Sequence, residues 1–481
     1  MAIATKKTKK KKQPKDIAKS FNVDLVPWNG MITSQDAYTI PEDTAVWVSG
    51  LPKLTGAIEN VPDANTVYTH TANIVDFFTF VLGSSQYFCI LDGSYLRIYS
   101  STFNQIATYA TNVAKVDYTI QDNQYIWITN KNSFLITFDG TTIYDLTSNG
   151  VTGDAICYWK GRIFIGKDRV ITFSVPNPDA TGATNPFDTA NGAGSITLTV
   201  SVFAQILALI PKEDSIYIFT NRSIVSLIGT TISNDPTQWY ITEIVKDVGI
   251  TGIRNYVVNE HTVYFHSPFG IYEITATAPQ KIDDAITNIT SAISGICFFS
   301  YKQIPYIAVS CTSFIDNSVN AIYCNNLLTN KWYALNIDAK VMSNNLSDAW
   351  FVNGTKVYKM FASSDYLPLH VKSKIFFNLE NTYYNIKNVI LYGRGNFNYL
   401  QEFIILVFAG QQDNIIFQTS GGNLIQVAQQ QDFWLAVLRP STTLPYAMRV
   451  KQFQIELKQS DKNYSEIINV RIKGSIGARY V

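Results

Sequence analysis

The sequence predicts an all-β protein, a β-propeller followed by a C-terminal β-sandwich or platform domain. Three observations carry that expectation. From about Val61 to Phe361, short aromatic or β-branched runs alternate with brief polar turns. No stretch offers a capped amphipathic helix; AKSFNVDL and FAQILALI come nearest, and both are short. Near Asp365-Tyr366-Leu367-Pro368 the texture changes to strands with longer apolar runs.

Taken in order, residues 1–20 form a basic segment without apolar periodicity, expected to be disordered. Seven lysines stand there (Lys6, Lys7, Lys9, Lys10, Lys11, Lys12 and Lys15), with no acid before Asp16. The formal net charge of +1 hides this asymmetry, since 31 basic and 37 acidic residues remain from Asp16 onward, about −6. The lysines suit either a solvated run or a contact to nucleic acid or an acidic partner. If all engaged DNA, the log–log salt slope would approach about −6. Residues 21–60 read as an extended docking arm, with apolar anchors such as Trp28 and Trp47 interrupted by Pro27, Pro41 and Pro52.

Residues 61–365 repeat one hairpin form. QYFCILDGSYLRIYS and NSFLITFDGTTIYDL turn at Asp92-Gly93 and Asp139-Gly140, which suit type I′ turns. A single open sheet of that many strands would curl or split, whereas radial repetition leaves only short protected edges. About 45–50 residues per four-stranded unit give six blades, with seven as the other count. An array of sandwiches is the alternative architecture. The stretch Ile163–Thr230 stands out because the loop Pro176–Ser195, with three prolines and three glycines, interrupts its alternating strands. Residues 366–481 carry seven or so strands, as in a β-sandwich.

Chemistry-bearing motifs are sparse. Only 16% of residues are charged, against 28 Tyr and 28 Phe, which suits surface covered by neighbours. Five scattered cysteines suit a reducing compartment. His261 and His266 point to opposite faces of a strand, so no metal or cofactor is expected. Gly161–Asp168 imitates a phosphate loop, but it ends in Asp and its middle reads as a strand. There is no nucleophile elbow. No enzyme is expected.

Three stretches, in order, resemble the tail hub or nozzle proteins of short-tailed bacteriophages, the group that includes the packaged-DNA stabilisation protein. They are VDLVPWNGMITSQDAYTIPEDTAVWVSGLPKLTG, then ITFSVPNPDATGATNPFDTANGAGSITLT with the strand pair after it, then EIVKDVGITGIRNYVVNEHTVYFHSPFGIYEIT. IYCNNLLTNKWYAL is similar to their strand, loop and Trp-containing strand. The resemblance implies a structural virion protein, made in the host cytoplasm and assembled into the tail as a hexameric ring. The ring would extend the DNA channel below portal and adaptor, retain the packaged genome and let it pass at ejection. Implied partners are the adaptor and portal, tail fibres or spikes, a plug or needle, and genomic DNA in transit. The lysine-rich start departs from the family pattern, so its role is not inherited. Subunit or fibre contacts are expected at Trp28, Trp47, Pro176, Asn177, Pro178, Pro186 and Phe187. The alternatives are a carbohydrate-binding or glycan-cleaving propeller, which needs paired carboxylates, and an intracellular peptide-binding scaffold.

Overall fold

Alternation and local turn chemistry place nearly every strand between 65 and 359 beside its sequence neighbour. The computed structural model describes residues 19–477 apart from 25–29, 36–38, 42–43, 56, 200–203, 230–235, 276–277, 287–292, 346–347, 378–382, 396–401, 410–411, 421–424, 431–432, 439–447, 451 and 460–461. The chain is all-β, and its N-terminal two thirds are propeller-like. Four-stranded antiparallel units occupy residues 76–110, 117–145, 155–197, 206–245, 256–281 and 295–335. A seventh unit combines 341–359 with Asn65–Thr69, whose partner is Lys356–Lys359. We number these units one to seven.

Apolar clusters seal successive units. Phe78 and Val116 belong to the cluster between units one and two, and Trp127 and Ile163 to the one between two and three. Phe164 with Leu209, then Phe219 with Phe265, continue the series to unit five. Val257, Ile296 and Phe351 share the core of units five to seven. Trp350 and Val352 of unit seven pack with Phe77 and Phe88 of unit one. Aromatic residues fit this role because each buries a large area between two pleated faces.

The turns depart from the expected type. Gly93 and Gly140 take φ of 84° and 104°, but Asp92 and Asp139 keep ordinary negative φ, so neither is a type I′ turn. Each aspartate instead accepts local amides: Asp92 Oδ1 from Ser94 and Tyr95 at 3.0 and 2.8 Å, Asp139 Oδ1 from Thr141 and Thr142 at 2.8 and 2.7 Å. A short carboxylate can bond its own backbone two or three residues on, which fixes the turn without a second left-handed residue.

The arm expected over 21–60 docks within the chain itself. Ala45–Ser49 runs parallel to the last strand of unit six at Ser49–Ala334 and antiparallel to His370–Phe377. Unit six and the C-terminal domain thereby share one nine-stranded sheet. Lys19–Asp24 and the hairpin of Leu51–Pro52 with Ile58–Glu59 all join Ser465–Gly477 in an eight-stranded sheet. The chain changes sheet at Gly50, where φ is 153° and a Cβ would lie 2.7 Å from Leu369 Cδ1 and 2.8 Å from the Glu59 carbonyl. Only glycine fits such a crossing. The core of units five to seven runs on into Trp47, Leu51, Val371, Leu457 and Val470, so the two regions are packed as one body.

Candidate functional site

The first strands of units one to three begin with, or just after, an aspartate: Asp76, Asp117 and Asp154. All three are buried, and each reaches the following unit. Asp76 Oδ2 accepts from the Val116 amide at 3.4 Å, and Asp117 Oδ2 from the Ile156 amide at 2.9 Å. Asp154 Oδ2 accepts from Gln205 Nε2 at 2.9 Å. Ser343 Oγ of unit seven likewise takes the Thr79 amide of unit one at 3.2 Å. A buried carboxylate or hydroxyl here satisfies a backbone donor that the neighbouring strand leaves unpaired.

A longer bridge crosses these. The turn before unit five places Arg254 in the left-handed region, φ 55°, and sends its side chain to units one and two. Its guanidinium pairs with Asp76 Oδ2, and its Nε donates to the Val116 carbonyl at 2.8 Å. It also lies 4.9 Å from the Phe78 ring and 5.8 Å from the Tyr118 ring, two aromatics stacked at 4.3 Å. Beside it Lys115 Nζ donates to Asn255 Oδ1 at 3.3 Å. Sequence reading missed this cluster, although Val-Asp recurs at 75–76 and 116–117 ahead of apolar strands. Arg254 itself left no signal, being one arginine in a glycine-containing turn.

Burial pushes the Asp117 carboxyl up to about 7, against opposing hydrogen bonding from the Ile156 amide and the Arg254 charge. Burial, then the Arg254 charge, pushes Lys115 down to about 8. The sign of the pH effect follows. A carboxyl raised on folding stabilises the protein fully below its ordinary value near 4, and that contribution is lost as pH rises through about 7. Lys115 stays protonated throughout that window. Asp117→Asn should therefore flatten the stability profile between pH 4 and 7 and gain about 1–3 kcal/mol over the natural chain at pH 8. Chemical denaturation at pH 5 and pH 8 measures this; an unchanged pH slope contradicts it.

A cleft of about 470 Å³ lies between unit six and the C-terminal domain, lined by Lys53, Leu54, Glu59, Tyr301, Lys302 and Glu466 among others. Glu59 and Glu466 are buried carboxylates. Lys302 Nζ binds Glu59 Oε1 at 2.6 Å, and Lys53 Nζ binds Glu466 Oε2 at 2.7 Å and Glu59 Oε2 at 3.5 Å. Tyr464 OH reaches both acids, at 3.2 and 3.0 Å. Lys53 is held above its ordinary value: burial works against its charge, and the bonds to Glu466 and Tyr464 outweigh it. Glycan cleavage needs one carboxyl free to donate a proton and a second free to attack or activate water. Here each carboxylate is engaged by an ammonium group, an arrangement suited to holding two domains at a fixed angle.

The residues expected at an interface divide three ways. Lys6, Lys7, Lys9, Lys10, Lys11, Lys12, Lys15 and Trp28 lie outside the described residues. Trp47 is fully buried, edge-on to Tyr323 at 6.0 Å, and forms no surface anchor. The proline-rich loop joins the third and fourth strands of unit three and folds back over unit two. Gln121 Nε2 donates to the Pro178 carbonyl at 3.0 Å, Thr137 Oγ1 donates to the Ala180 carbonyl, and Phe187 packs with Trp127 and Leu135. Pro178, Pro186 and Phe187 are accordingly buried, while Pro176 and Asn177 are exposed. The phosphate-loop imitation is strand Arg162–Lys167 followed by a turn at Asp168, φ 52°.

No family model matches the chain, and no curated protein matches it. Solved structures do overlap with it. A computationally designed protein, Ika8, aligns at 10% identity over 63% of this chain and 99% of that one, with a TM-score of 0.36. BamB from Moraxella catarrhalis aligns at 11% identity over 65% of this chain and 92% of that one, with a TM-score of 0.38. Likenesses at that level identify neither a family nor an activity.

Proposed function

We propose that the chain is a structural virion protein, a subunit of the tail hub or nozzle ring of a short-tailed bacteriophage. In this reading the seven units close into a seven-bladed propeller, and six copies form a ring below portal and adaptor. The ring retains packaged DNA and lets it pass at ejection. The observation that carries the reading is the nine-stranded sheet through Ala45–Ser49, which makes unit six and the C-terminal domain one continuous element. A conduit subunit under the pressure of a packed genome needs two regions that keep their relative angle, and a shared sheet supplies that without a hinge. The ordered resemblance of the arm, the proline-rich stretch and the Glu243–Thr275 stretch supports the same reading. So does the low charge content, because large permanent interfaces are depleted of charge at their centres.

Within the ring, DNA runs between copies and not through one propeller. If the seven units close into a circle, the bridge from Arg254, in the turn before unit five, to Asp76 and the Val116 carbonyl would span its middle, which favours that path. Co-purification of the full chain with a portal–adaptor complex tests the function. A stable stoichiometric complex is expected. Failure to bind that complex, together with hydrolysis of a polysaccharide abolished by Glu59→Gln or Glu466→Gln, would replace the hub reading with a glycan-cleaving one.

A further inference from the structure

Where units one and two meet, their turns enclose a pocket of about 350 Å³, lined by Tyr87, Asn123, Gln124, Tyr125 and Asp139 together with Gly83. Its two sides are tied to each other, because the Gly83 amide donates to the Asn123 carbonyl at 2.8 Å. Beside it, Tyr158 OH holds the turn of unit two through Asp122 Oδ1 at 2.7 Å. The aromatic walls are equally fixed. Tyr87 stacks on Phe80 at 5.2 Å and stands edge-on to Phe138 at 5.6 Å, while Tyr125 packs against the cluster of Trp127 and Phe187. A site held this way is preformed, so a ligand meets little ordering cost.

The chemistry of the lining is neutral. Among the described residues, the side-chain amides of Asn123 and Gln124 and the hydroxyls of Tyr87 and Tyr125 have no hydrogen-bond partner. An amide and a phenol can each both donate and accept. Lysine, arginine and histidine are absent from the lining among the described residues, so a phosphate or carboxylate ligand would find no counter-charge there. The single acid is already engaged. Asp139 Oδ1 takes the Thr141 and Thr142 amides at 2.8 and 2.7 Å, and Oδ2 takes the Tyr144 hydroxyl at 3.0 Å.

We infer that this pocket binds a neutral saccharide, with a tyrosine ring against the apolar face of a sugar ring and the two amides on its hydroxyls. A sugar presents an apolar ring face and a rim of groups that both donate and accept, which is what this lining can answer. A purely apolar ligand would displace water from four polar groups and return no hydrogen bonds. The volume stands at the lower end of small-molecule sites, about 300–1,000 Å³, which suits a mono- or disaccharide unit. The pocket binds without cleaving. Glycan hydrolysis needs two carboxyls in separate roles, and Asp139 is the one acid here, held by its own turn. None of this depends on the ring assembly.

Saturation-transfer NMR on the full chain tests the site, with maltotriose, cellotriose, mannotriose and chitotriose as probes and trigalacturonate as the anionic control. At least one neutral trisaccharide should bind with a Kd of about 1 mM, and trigalacturonate should not. Gln124→Ala and Tyr125→Ala should each weaken that binding about tenfold or more, whereas Tyr240→Ala, at an exposed tyrosine of unit four, should leave it unchanged. Both pocket variants should keep the thermal melt of the natural chain. Should Tyr125→Ala fail to fold, Gln124→Ala decides alone, since Gln124 is an exposed turn residue. Three results overturn the inference: no neutral probe bound at about 10 mM, equal affinity in the pocket variants, or preference for trigalacturonate. Any of them leaves the hub reading standing, because association with portal and adaptor is measured separately.

Discussion

Arg254→Met should lower the stability of the protein by about 3–5 kcal/mol, because it strands a buried carboxylate. Asp76 is 1% exposed and would keep only amide donors after the guanidinium is gone. The change also removes the Nε bond to the Val116 carbonyl and the stacking of the cation over Phe78. Methionine keeps much of the packing against the aromatic pair, so the loss reports mainly on charge. Asp76→Asn in the same chain should restore part of it, since the neutral amide can still accept from the Val116 and Phe77 amides. Denaturation followed by tryptophan fluorescence measures both variants. A loss below about 1 kcal/mol would mean that the bridge acts as an exposed ion pair and ties no units together.

The second large effect is expected at the domain junction. Lys53→Met leaves Glu466 with the Tyr464 hydroxyl as its remaining partner in this network and Glu59 with Tyr464 and the half-exposed Lys302. Lys53 is itself about one quarter exposed, so the cost falls below that of a fully buried pair, about 2 kcal/mol. The loss should be local: proteolysis would cut the hairpin around Leu54 sooner while the units stay folded. Glu466→Gln added to Lys53→Met should recover most of the loss, because the amide carries no charge to strand. Equal sensitivity in units and junction would show that the network does not hold the domains together.

The blade-like units were legible because their information is local. Ile126, Ile128, Phe134 and Ile136 pack toward unit one while Trp127 and Leu135 between them pack toward unit three, so short β-branched and aromatic runs mark the strands, and glycine turns fix where one strand ends. Seven such units occur among the described residues, the higher of the two counts the spacing allowed. The extra unit borrows Asn65–Thr69 from far up the chain, and no repeat length contains that pairing. Distance in sequence also hid the fate of Trp47. An aromatic between prolines reads as an exposed anchor, yet its strand lies between segments almost 300 residues or more away, at Ala334 and Lys372. The proline-rich loop was legible as irregular structure. Its target was not, because the carbonyls of Pro178 and Ala180 that bind Gln121 and Thr137 carry no side-chain signature. Asp76, Asp117 and Asp154 were passed over for a related reason. An aspartate ahead of an apolar strand fits a turn as well as an inter-unit bond, and only the position of the next unit separates the two.

The hub assembly is tested most directly by the mass and image of the full chain in native mass spectrometry and negative-stain microscopy, alone and with a portal–adaptor complex. Six copies in a ring around one central opening, with each propeller axis closed, is the predicted result. A chain that remains monomeric at high concentration and in the presence of that complex would contradict it.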